Sequence, residues 1–362
     1  MPTNALDYIT IKGFKSIASI EKVPLKPINV VIGPNGSGKS NFVGVFEFLH
    51  GVRAGRLRDY VKVAGGADKV LHFGSKTTRE ILFALSFAEG PYELKLRPTA
   101  ADELYEYEET TLLEGNPDRL ITNRFSTTDE ENAKWDEEKG RRLDRLFDWR
   151  IYHFEDTSFS STMRKTAKVD DNRLLRPDGA NLAAFLYLLQ EKHETSYSLI
   201  VRTVQRVAPF FDDFRLDPLL LKPDDIKLEW RHKKSDQYFD ASSLSDGTLR
   251  FIALATLFLQ PEQFRPSVIL VDEPELGLHP YALGVLAALI RQASTSNQVI
   301  VSTQSSLLLD HFQPEDVLVA DRVDGGTQLR RLEPEPLAKW LEDYSLGQLW
   351  EKNEIGGRPV PG

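Results

Sequence analysis

The sequence predicts an α/β fold with a central, mostly parallel β-sheet. Three short runs, at residues 28–32, 268–271 and 298–303, are mostly apolar and rich in β-branched residues. Strands that are buried on both faces of a parallel sheet have this composition. The first run leads through a glycine-rich loop into residues 41–49, where apolar residues recur at helical spacing. A strand, a loop and a helix in this order form the repeating unit of α/β folds.

The glycine-rich loop, residues 33–40, reads GPNGSGKS and is a complete phosphate-binding loop. Its glycines let backbone N–H groups approach phosphate oxygens, its lysine binds the β- and γ-phosphates, and its last hydroxyl binds Mg²⁺. The phosphates would lie at the N-terminus of the following helix, which favours anions. The sequence therefore predicts ATP and Mg²⁺ as ligands, held by Asn35, Gly36, Ser37, Gly38, Lys39 and Ser40. The alternative is a glycine-rich surface turn.

Composition bounds the other functions that are open to the chain. It contains 362 residues, of which 41% are hydrophobic and 27% charged, as is ordinary for globular proteins. It has no cysteine, which excludes disulfides and cysteine-ligated metals and fits a reducing cytoplasm. No signal peptide or membrane span is recognisable, so we expect a cytoplasmic protein with no membrane partner. The net charge of −9 means that any nucleic-acid contact must be a local patch.

Two acidic residues, Asp272 and Glu273, follow the apolar run at 268–271. An acid at the end of such a strand lies beside the phosphate loop and binds Mg²⁺, and we assign this role to Asp272. The next carboxylate, Glu273, is placed to polarise an attacking water. We expect it to be catalytic together with Lys39. A solvated strand end that happens to carry two acids is the alternative.

Residues 244–250, LSDGTLR, predict a second anion site. A serine hydroxyl, glycine N–H groups and a helix dipole combine there at the start of an apolar helix. The alternative is a capped helix without a ligand, and Asp246 is the expected N-cap. The candidate ligand-binding residues are Ser245, Asp246, Gly247 and Thr248.

In this order, the phosphate loop, the LSDGT string and the Asp-Glu strand resemble the ABC-type ATPase heads, which are P-loop NTPases. The resemblance implies that the signature motif of one subunit completes the ATP site of a second subunit. Two nucleotides would then be sandwiched in a head-to-tail homodimer, and a monomer would hydrolyse ATP poorly.

Two positions depart from the pattern of that family. Many members carry a histidine where Gln304 stands, and glutamine donates a hydrogen bond but cannot take a proton. We therefore expect Gln304 to position phosphate or water and include it among the catalytic residues. The family also carries a glutamine that reaches Mg²⁺ after the run at 150–152, and none is present here. Either His153, Glu155 or Asp156 substitutes for it, or the segment is an ordinary polar strand end.

The signature follows the phosphate loop at about twice the spacing that the family's transporter subunits show. We interpret the extra length as an antiparallel β insertion at 68–125 and a helical signature subdomain at 175–260, within a single head that spans 1–362. The charged residues at 129–149 predict a solvated helix. No apolar heptad persists over three repeats, so we expect no coiled-coil arm.

The opening residues 9–17, ITIKGFKSI, and the closing residues 340–350 are similar to the arm-less, stand-alone prokaryotic ATPases of the RecF, SMC and OLD group. OLD-type proteins append a TOPRIM nuclease domain, which we do not expect in this chain. The resemblance implies that a separately encoded effector, such as a TOPRIM-type nuclease, would supply any cleavage.

The predicted function is an ATP-driven dimeric switch that gates DNA engagement or such an effector, in genome maintenance or anti-phage defence. The alternatives are an ABC transporter ATPase subunit and a scaffold that binds ATP without hydrolysing it. DNA contact would use three basic clusters, which are otherwise solvated faces. They comprise Arg53, Arg56, Arg58 and Lys62; Arg141, Arg142 and Arg145; and Arg231, Lys233 and Lys234.

Overall fold

The structure is a computed structural model that describes residues 5–88, 90–113, 116–124 and 148–357. The helix expected at 129–149 lies almost wholly outside these residues. The described strands are β1 (Leu6–Phe14), β2 (Ile17–Pro24), β3 (Ile28–Ile32), β4 (Ile81–Phe87), β5 (Gly90–Pro98), β6 (Leu104–Leu113), β7 (Asn116–Arg124), β8 (Trp149–Tyr152), β9 (Ala167–Lys168), β10 (Phe211–Arg215), β11 (Pro218–Leu219), β12 (Lys222–Ile226), β13 (Glu229–His232), β14 (Tyr238–Asp240), β15 (Val268–Asp272), β16 (Gln298–Ser302), β17 (Val317–Val323) and β18 (Gly326–Arg331).

The described α-helices are α1 (Lys39–Arg53), α2 (Leu57–Ala64), α3 (Ala67–Val70), α4 (Leu182–Lys192), α5 (Glu194–Val207), α6 (Asp246–Leu259), α7 (Pro280–Ala293), α8 (Ser306–Leu309), α9 (Pro334–Leu337) and α10 (Leu346–Glu351). The chain divides into two compact units. The first unit comprises Met1–Trp149 with Phe312–Gly362, and the second comprises Arg150–His311.

An antiparallel sheet of six strands, in the order β2-β1-β4-β5-β6-β7, belongs to the first unit. Residues of β4 alternate between buried and half-buried positions, because successive side chains of a strand point to opposite faces. Within residues 68–125, where the sequence suggests a β insertion, the first strand is β4, and α3 precedes it. The strands of this insertion, β4 to β7, continue the sheet that β1 and β2 begin.

The strand that enters the phosphate loop, β3, is buried along its whole length. It pairs in parallel with β17, and β17 pairs antiparallel with β18. Helix α1 follows the loop and buries Phe42, Phe46 and Phe48. The Phe48 ring lies 5.3 Å from that of Phe14 and 5.6 Å from that of Phe83, measured between centroids. The loop at 33–40 is therefore fixed at both ends by buried elements.

In the second unit, β15 and β16 form a parallel pair in which Asp272 is opposite Ser302, and β8 lies beside β15. Every residue from 249 to 259 of α6 is buried. The predicted α/β character is confirmed by parallel strand pairs with intervening helices in both units.

Residues 175–260 are helical only in part, because five short strands, β10 to β14, lie between α5 and α6. The indole of Trp230 stacks on Phe239 at 5.1 Å and on Phe211 at 6.1 Å between centroids. Large aromatic side chains pack well on the pleated surface of a sheet, which explains why this segment forms strands and not a helix.

Candidate nucleotide-binding and catalytic residues

The phosphate loop, residues 33–40, joins β3 to α1 in the first unit. Gly36 and Gly38 have φ angles of 79° and 101°, left-handed values that residues with a Cβ atom rarely adopt. The Nζ atom of Lys39 donates hydrogen bonds to the carbonyl oxygens of Gly33 at 2.7 Å and Pro34 at 3.0 Å. The loop therefore curls around the lysine ammonium, as phosphate-binding loops do.

A network of hydrogen bonds between side chains ends at a backbone carbonyl of the loop and stabilises it. Asn41 Nδ2 donates to Ser16 Oγ at 2.7 Å, the Ser16 and Thr327 hydroxyls pair at 2.7 Å, and Thr327 donates to the carbonyl of Ser37 at 2.8 Å. A Cβ atom at Gly38 would come within 2.0 Å of Thr327 Oγ1. The sequence does not indicate Ser16 or Thr327 as functional residues. Ser16 belongs to the segment ITIKGFKSI, which points to a family but to no chemical role, and Thr327 belongs to no motif.

The residues of the loop fit the phosphates and the Mg²⁺ ion that the sequence predicts. Asn35, Gly36 and Ser40 are exposed, and a Cβ atom at Gly36 would meet nothing within 4 Å. The buried hydroxyl of Ser37 has no hydrogen-bond partner among the described residues. Hydroxyl and backbone groups at a helix start suit phosphate, and a hydroxyl oxygen is a ligand that Mg²⁺ accepts.

The two acidic residues after the second apolar run belong to the second unit. Asp272 ends β15 and is half-buried. Glu273 has a φ angle of 40°, which is uncommon for a residue other than glycine, and its N–H donates to the Ser302 carbonyl at 2.8 Å. Backbone strain of this kind persists only where surrounding bonds hold it, and it clusters at functional sites.

Gln304 contacts the carboxylate of the catalytic candidate itself. Its Nε2 atom donates a hydrogen bond to Glu273 Oε1, and its backbone N–H donates to Glu275 Oε1 at 2.9 Å. Burial raises the pKa of Glu275. Gln304 is therefore in direct contact with Glu273, which the sequence does not indicate, and the positioning of phosphate or water that the sequence suggests stays a prediction.

The signature helix, α6, begins directly after Ser245. The Ser245 hydroxyl accepts a hydrogen bond from the N–H of Thr248 at 3.2 Å and caps the helix. The prediction that Asp246 is the N-cap is wrong, because Asp246 occupies the first helical position and pairs with Arg164 at 2.8 Å. A serine hydroxyl reaches the free N–H three residues ahead, whereas a carboxylate in the first turn is favoured by the helix dipole.

The start of α6 lies against the loop at 274–279, which follows Glu273. A Cβ atom at Gly247 would come within 2.2 Å of the Gly277 carbonyl oxygen. The buried guanidinium of Arg250 donates to the carbonyl of Leu276 and to those of Phe154 at 2.8 Å and Glu155 at 2.7 Å. Arg250 thus ties the signature helix to two other segments of the unit. The sequence shows it as the last residue of LSDGTLR but gives no sign of these bonds.

Two of the three candidates for the absent glutamine lie beside Asp272. Ligand atoms of His153, Glu155 and Asp272 all lie within 4.8 Å of one another. Asp156 instead accepts hydrogen bonds from the N–H of Ser158 at 3.0 Å and from its hydroxyl at 2.6 Å. The segment after β8 therefore presents His153 and Glu155, and not Asp156, to the end of β15.

The basic clusters differ in their surroundings. Arg56, Arg58 and Lys62 are exposed, whereas Arg231 pairs with Asp212 at 2.5 Å. The cluster at 141–145 lies outside the described residues.

Within the part of the chain that the structure describes, no helix is long and apolar enough to cross a bilayer.

Comparison with known proteins identifies the family. A family model described as "AAA domain, putative AbiEii toxin, Type IV TA system" matches residues 28–310, which include the phosphate loop, the signature helix and both acidic residues. The chain belongs to this family. This family member is also 41% identical over 58 residues to "Structural maintenance of chromosomes protein 1" of Arabidopsis thaliana, covering 16% of the chain and 5% of the relative.

A longer match joins this family member to "Chromosome partition protein Smc" of Synechococcus sp. The two are 32% identical over 127 residues, which is 33% of the chain and 10% of the relative. The chain spans a tenth or less of the length of these two curated relatives.

Solved structures show the fold of this chain. The Smc head bound to the C-winged helix domain of ScpA matches with a TM-score of 0.61 and 17% identity, over 91% of the chain and 99% of that structure. The Smc head with an extended coiled coil, bound to the C-terminal domain of ScpA from Pyrococcus furiosus, matches with a TM-score of 0.58 and 16% identity, over 93% and 98%. The predicted P-loop ATPase fold of the RecF/SMC-like, ABC type is thereby confirmed.

Proposed function

We propose that this protein binds and hydrolyses ATP as a dimeric switch. Each nucleotide would be sandwiched between the phosphate loop and acidic strand of one subunit and the signature helix of the other. The observation that carries the proposal is the phosphate loop, whose left-handed glycines and buttressed backbone enclose Lys39 at a helix N-terminus. An ATPase of this family needs a site that binds the phosphates of ATP, and the loop at 33–40 is suited to that task.

The first step is nucleotide binding by the loop at 33–40. Backbone N–H groups at Gly36, Gly38 and the start of α1 would donate hydrogen bonds to phosphate oxygens at the helix N-terminus. The Lys39 ammonium, which two loop carbonyls orient, adds a positive charge for the β- and γ-phosphates. Because Thr327 and Ser16 fix the loop in advance, little ordering is needed when ATP binds.

The second step is hydrolysis to ADP and phosphate. Ser40 and Asp272 are the residues that would supply oxygens for Mg²⁺, and the ion would neutralise charge on the phosphates. Glu273 takes a proton from the attacking water, and the amide of Gln304 holds the Glu273 carboxylate in place. Gln304 cannot accept this proton, so its contribution is orientation.

The third step is closure of two subunits. Ser245 and Asp246 are exposed at the N-terminus of α6, where a phosphate of the partner's nucleotide is favoured by the helix dipole. Gly247 and Thr248 lie in the first turn of the same helix. Arg250 joins α6 to the loop after Glu273. Contact of α6 with the nucleotide of a partner subunit would therefore affect the position of the hydrolytic residues in the same unit.

The output of the switch would be a separately encoded effector, such as a TOPRIM-type nuclease, or DNA. Two solved SMC heads carry bound ScpA domains, which supports a head that recruits another polypeptide. The exposed Arg56, Arg58 and Lys62 support contact with a phosphate backbone. We place this switch in the cytoplasm, in genome maintenance or anti-phage defence.

The test is the native mass of Glu273→Gln protein, purified from its own host in Mg-ATP. Loss of the general base should lower the rate of hydrolysis by about 100-fold or more and trap a dimer with two nucleotides. An additional polypeptide in the complex would identify the effector. Bound DNA fragments would identify the DNA-gating mode.

Two variants separate the steps. Lys39→Ala should lose nucleotide binding, whereas Ser245→Arg should retain binding but fail to dimerise. Ser242→Arg is the matched control, because Ser242 is exposed three residues before the signature serine. Hydrolysis at the parental rate by Ser245→Arg protein would exclude the sandwiched dimer, and parental turnover by Glu273→Gln protein would exclude Glu273 as the base.

A further inference from the structure

The signature string carries an acid at the place where the proposed dimer needs a phosphate. Asp246 is the first residue of α6, and its side chain is 65% exposed. The dipole at this end of a helix favours an anion, which can be a carboxylate or a phosphate. The two repel each other when both are present. The charge of Asp246 therefore opposes a phosphate of the partner's nucleotide unless a cation balances it.

Arg164 supplies a cation at this place. Its Nη2 atom donates a hydrogen bond to Asp246 Oδ1 at 2.8 Å, and its side chain is only 6% exposed. Arginine is not deprotonated in proteins, so the charge persists in spite of the low exposure. An ion pair with a buried member is also screened less by salt than a pair of exposed side chains. The charge of Asp246 is thus offset within the signature segment itself.

The same guanidinium fixes the chain that leads into α6. Its Nη1 atom donates to the carbonyl of Ala241 and, at 3.2 Å, to that of Leu244, and its Nη2 atom also donates to Leu244 at 3.2 Å. A planar group with five donors is suited to several acceptors at once. Leu244 and Asp246 flank Ser245, the residue that caps α6. The position of the Ser245 hydroxyl therefore depends on Arg164 from both sides.

Arg164 is held in place at its other end. Its Nε atom donates to the Thr157 carbonyl at 2.9 Å, and its backbone N–H donates to the Ser161 carbonyl at 3.1 Å. Ser161 caps the short turn Thr162–Arg164, and its hydroxyl donates to the Asp156 carbonyl at 2.6 Å. Support of this kind holds a functional side chain in one geometry before a ligand binds.

We propose that Arg164 is a positioning residue for the signature helix, which holds Ser245 in place and cancels the charge of Asp246 so that a phosphate of the partner's nucleotide binds there. This inference rests on the proposed dimer and names a residue that regulates its assembly. The charge has a consequence that support of the backbone alone does not have. Removal of the Asp246 charge should strengthen the dimer, whereas a purely structural pair would be weakened or unaffected by this change.

The test measures the dissociation constant of the dimer in Mg-ATP by analytical ultracentrifugation. The full chain carries Glu273→Gln, so that hydrolysis does not separate the subunits. Asp246→Asn keeps an oxygen that accepts from Arg164 but carries no charge. It should tighten the dimer by about threefold to tenfold at low salt, and this gain should shrink at high salt. Arg164→Met leaves the Asp246 charge unbalanced and should weaken the dimer by about tenfold or more.

Two further measurements separate the charge from a folding defect. The Asp246 side chain is exposed, so Asp246→Asn needs no repacking and should leave the free energy of unfolding nearly unchanged. Arg164→Met combined with Asp246→Asn should recover part of the lost dimer affinity, because no unbalanced acid remains. The affinity of the monomer for ATP should be the same in every variant, since the phosphate loop belongs to the other unit.

The matched control is the ion pair of Arg215 and Asp217, which lie 2.9 Å apart in the same unit. Arg215→Met and Asp217→Asn should leave the dimer affinity unchanged. The inference is overturned if Asp246→Asn weakens the dimer or has no effect, or if Arg164→Met protein dimerises as its Glu273→Gln parent does. Absence of any dimer in that parent would instead exclude the proposed dimer, and the inference with it, so the two failures are distinguishable.

Discussion

The phosphate loop and the signature helix both place glycine at the start of a helix, but for different physical reasons. In the loop, Gly36 and Gly38 have φ angles that only glycine adopts readily. Gly247 of the signature lies within helix α6 and has no such angle, and it is required because the Gly277 backbone passes directly over it. The first use is conformational and the second is steric.

This difference separates local structure from tertiary structure. The shape of the loop at 33–40 is encoded in its own eight residues, and the Thr327 network stabilises that shape. The signature helix depends on a neighbour about 30 residues away and on the buried Arg250 that joins them. We therefore expect substitutions in the loop to affect nucleotide binding first, and substitutions in the signature to affect coupling first.

The largest effect is expected from Gly38→Ala. The new Cβ atom would face both a φ angle of 101° and the Thr327 hydroxyl at 2.0 Å. We expect a decrease of about 2–4 kcal/mol in the free energy of unfolding, and a loss of ATP affinity of about 100-fold or more. Chemical denaturation and binding of a fluorescent ATP analogue measure the two quantities.

Gly36→Ala is the control for this prediction, because its Cβ atom would meet nothing within 4 Å although φ is 79°. It should show the conformational cost alone, about 1 kcal/mol. Equal losses in the two variants would mean that the contact with Thr327 is unimportant and that the loop is specified by φ angles alone.

An intermediate effect is expected from Gly247→Ala. Its backbone is helical, so alanine meets no conformational penalty, but its Cβ atom would lie 2.2 Å from the Gly277 carbonyl. Overpacking of this kind costs about 1–3 kcal/mol. ATP binding should persist, whereas ATP-dependent dimerisation, measured by analytical ultracentrifugation, should be lost.

Gly284→Ala is the matched helical control in the same unit, since its Cβ atom would lie 3.4 Å from the His311 ring. It should leave stability unchanged or increase it by up to about 1 kcal/mol, because alanine is the better helix former. A Gly247→Ala protein as stable as this control would contradict the steric explanation.

The same distinction explains how much the sequence could predict. The phosphate loop, the acidic strand and the α/β fold are visible because each is a contiguous pattern of residues. The N-cap was assigned to Asp246 instead of Ser245, because both residue types cap helices and only the backbone decides between them. The strands β10 to β14 were missed, because tertiary packing around Trp230 overrides weak local preference.

The contacts that organise the site were beyond the reach of the sequence. Thr327 is far along the sequence from the loop that it supports, although the two are in contact in the structure. Arg250 binds backbone carbonyl oxygens, which every residue carries and which a sequence pattern therefore cannot reveal. For the segment after β8, the sequence offered three substitutes for one glutamine. The structure selected His153 and Glu155 because only a three-dimensional arrangement shows which side chains reach Asp272.

The smallest effect is expected from Glu275→Gln, which tests the loop after Glu273. Burial raises the pKa of Glu275, with a smaller contribution from the charge of Glu273. The folded state therefore holds this proton more tightly than the unfolded state does. The stability that the protonated group contributes is complete below the unfolded pKa, near 4.5, and is lost as pH rises through the folded pKa. Glutamine cannot ionise, so the unfolding free energy of the variant relative to the parent should increase with pH across this window, by about 1 kcal/mol or less.

The slope with pH, and not the absolute stability, is the informative quantity in this last experiment. The amide would place a donor where Glu275 Oε2 is buried without a partner among the described residues, which adds a cost that does not vary with pH. Glu191→Gln, at an exposed position of α4, should show no pH-dependent difference from the parent. If Glu275→Gln also shows none, burial does not raise the pKa of Glu275, and its carboxyl group is hydrated in the folded state.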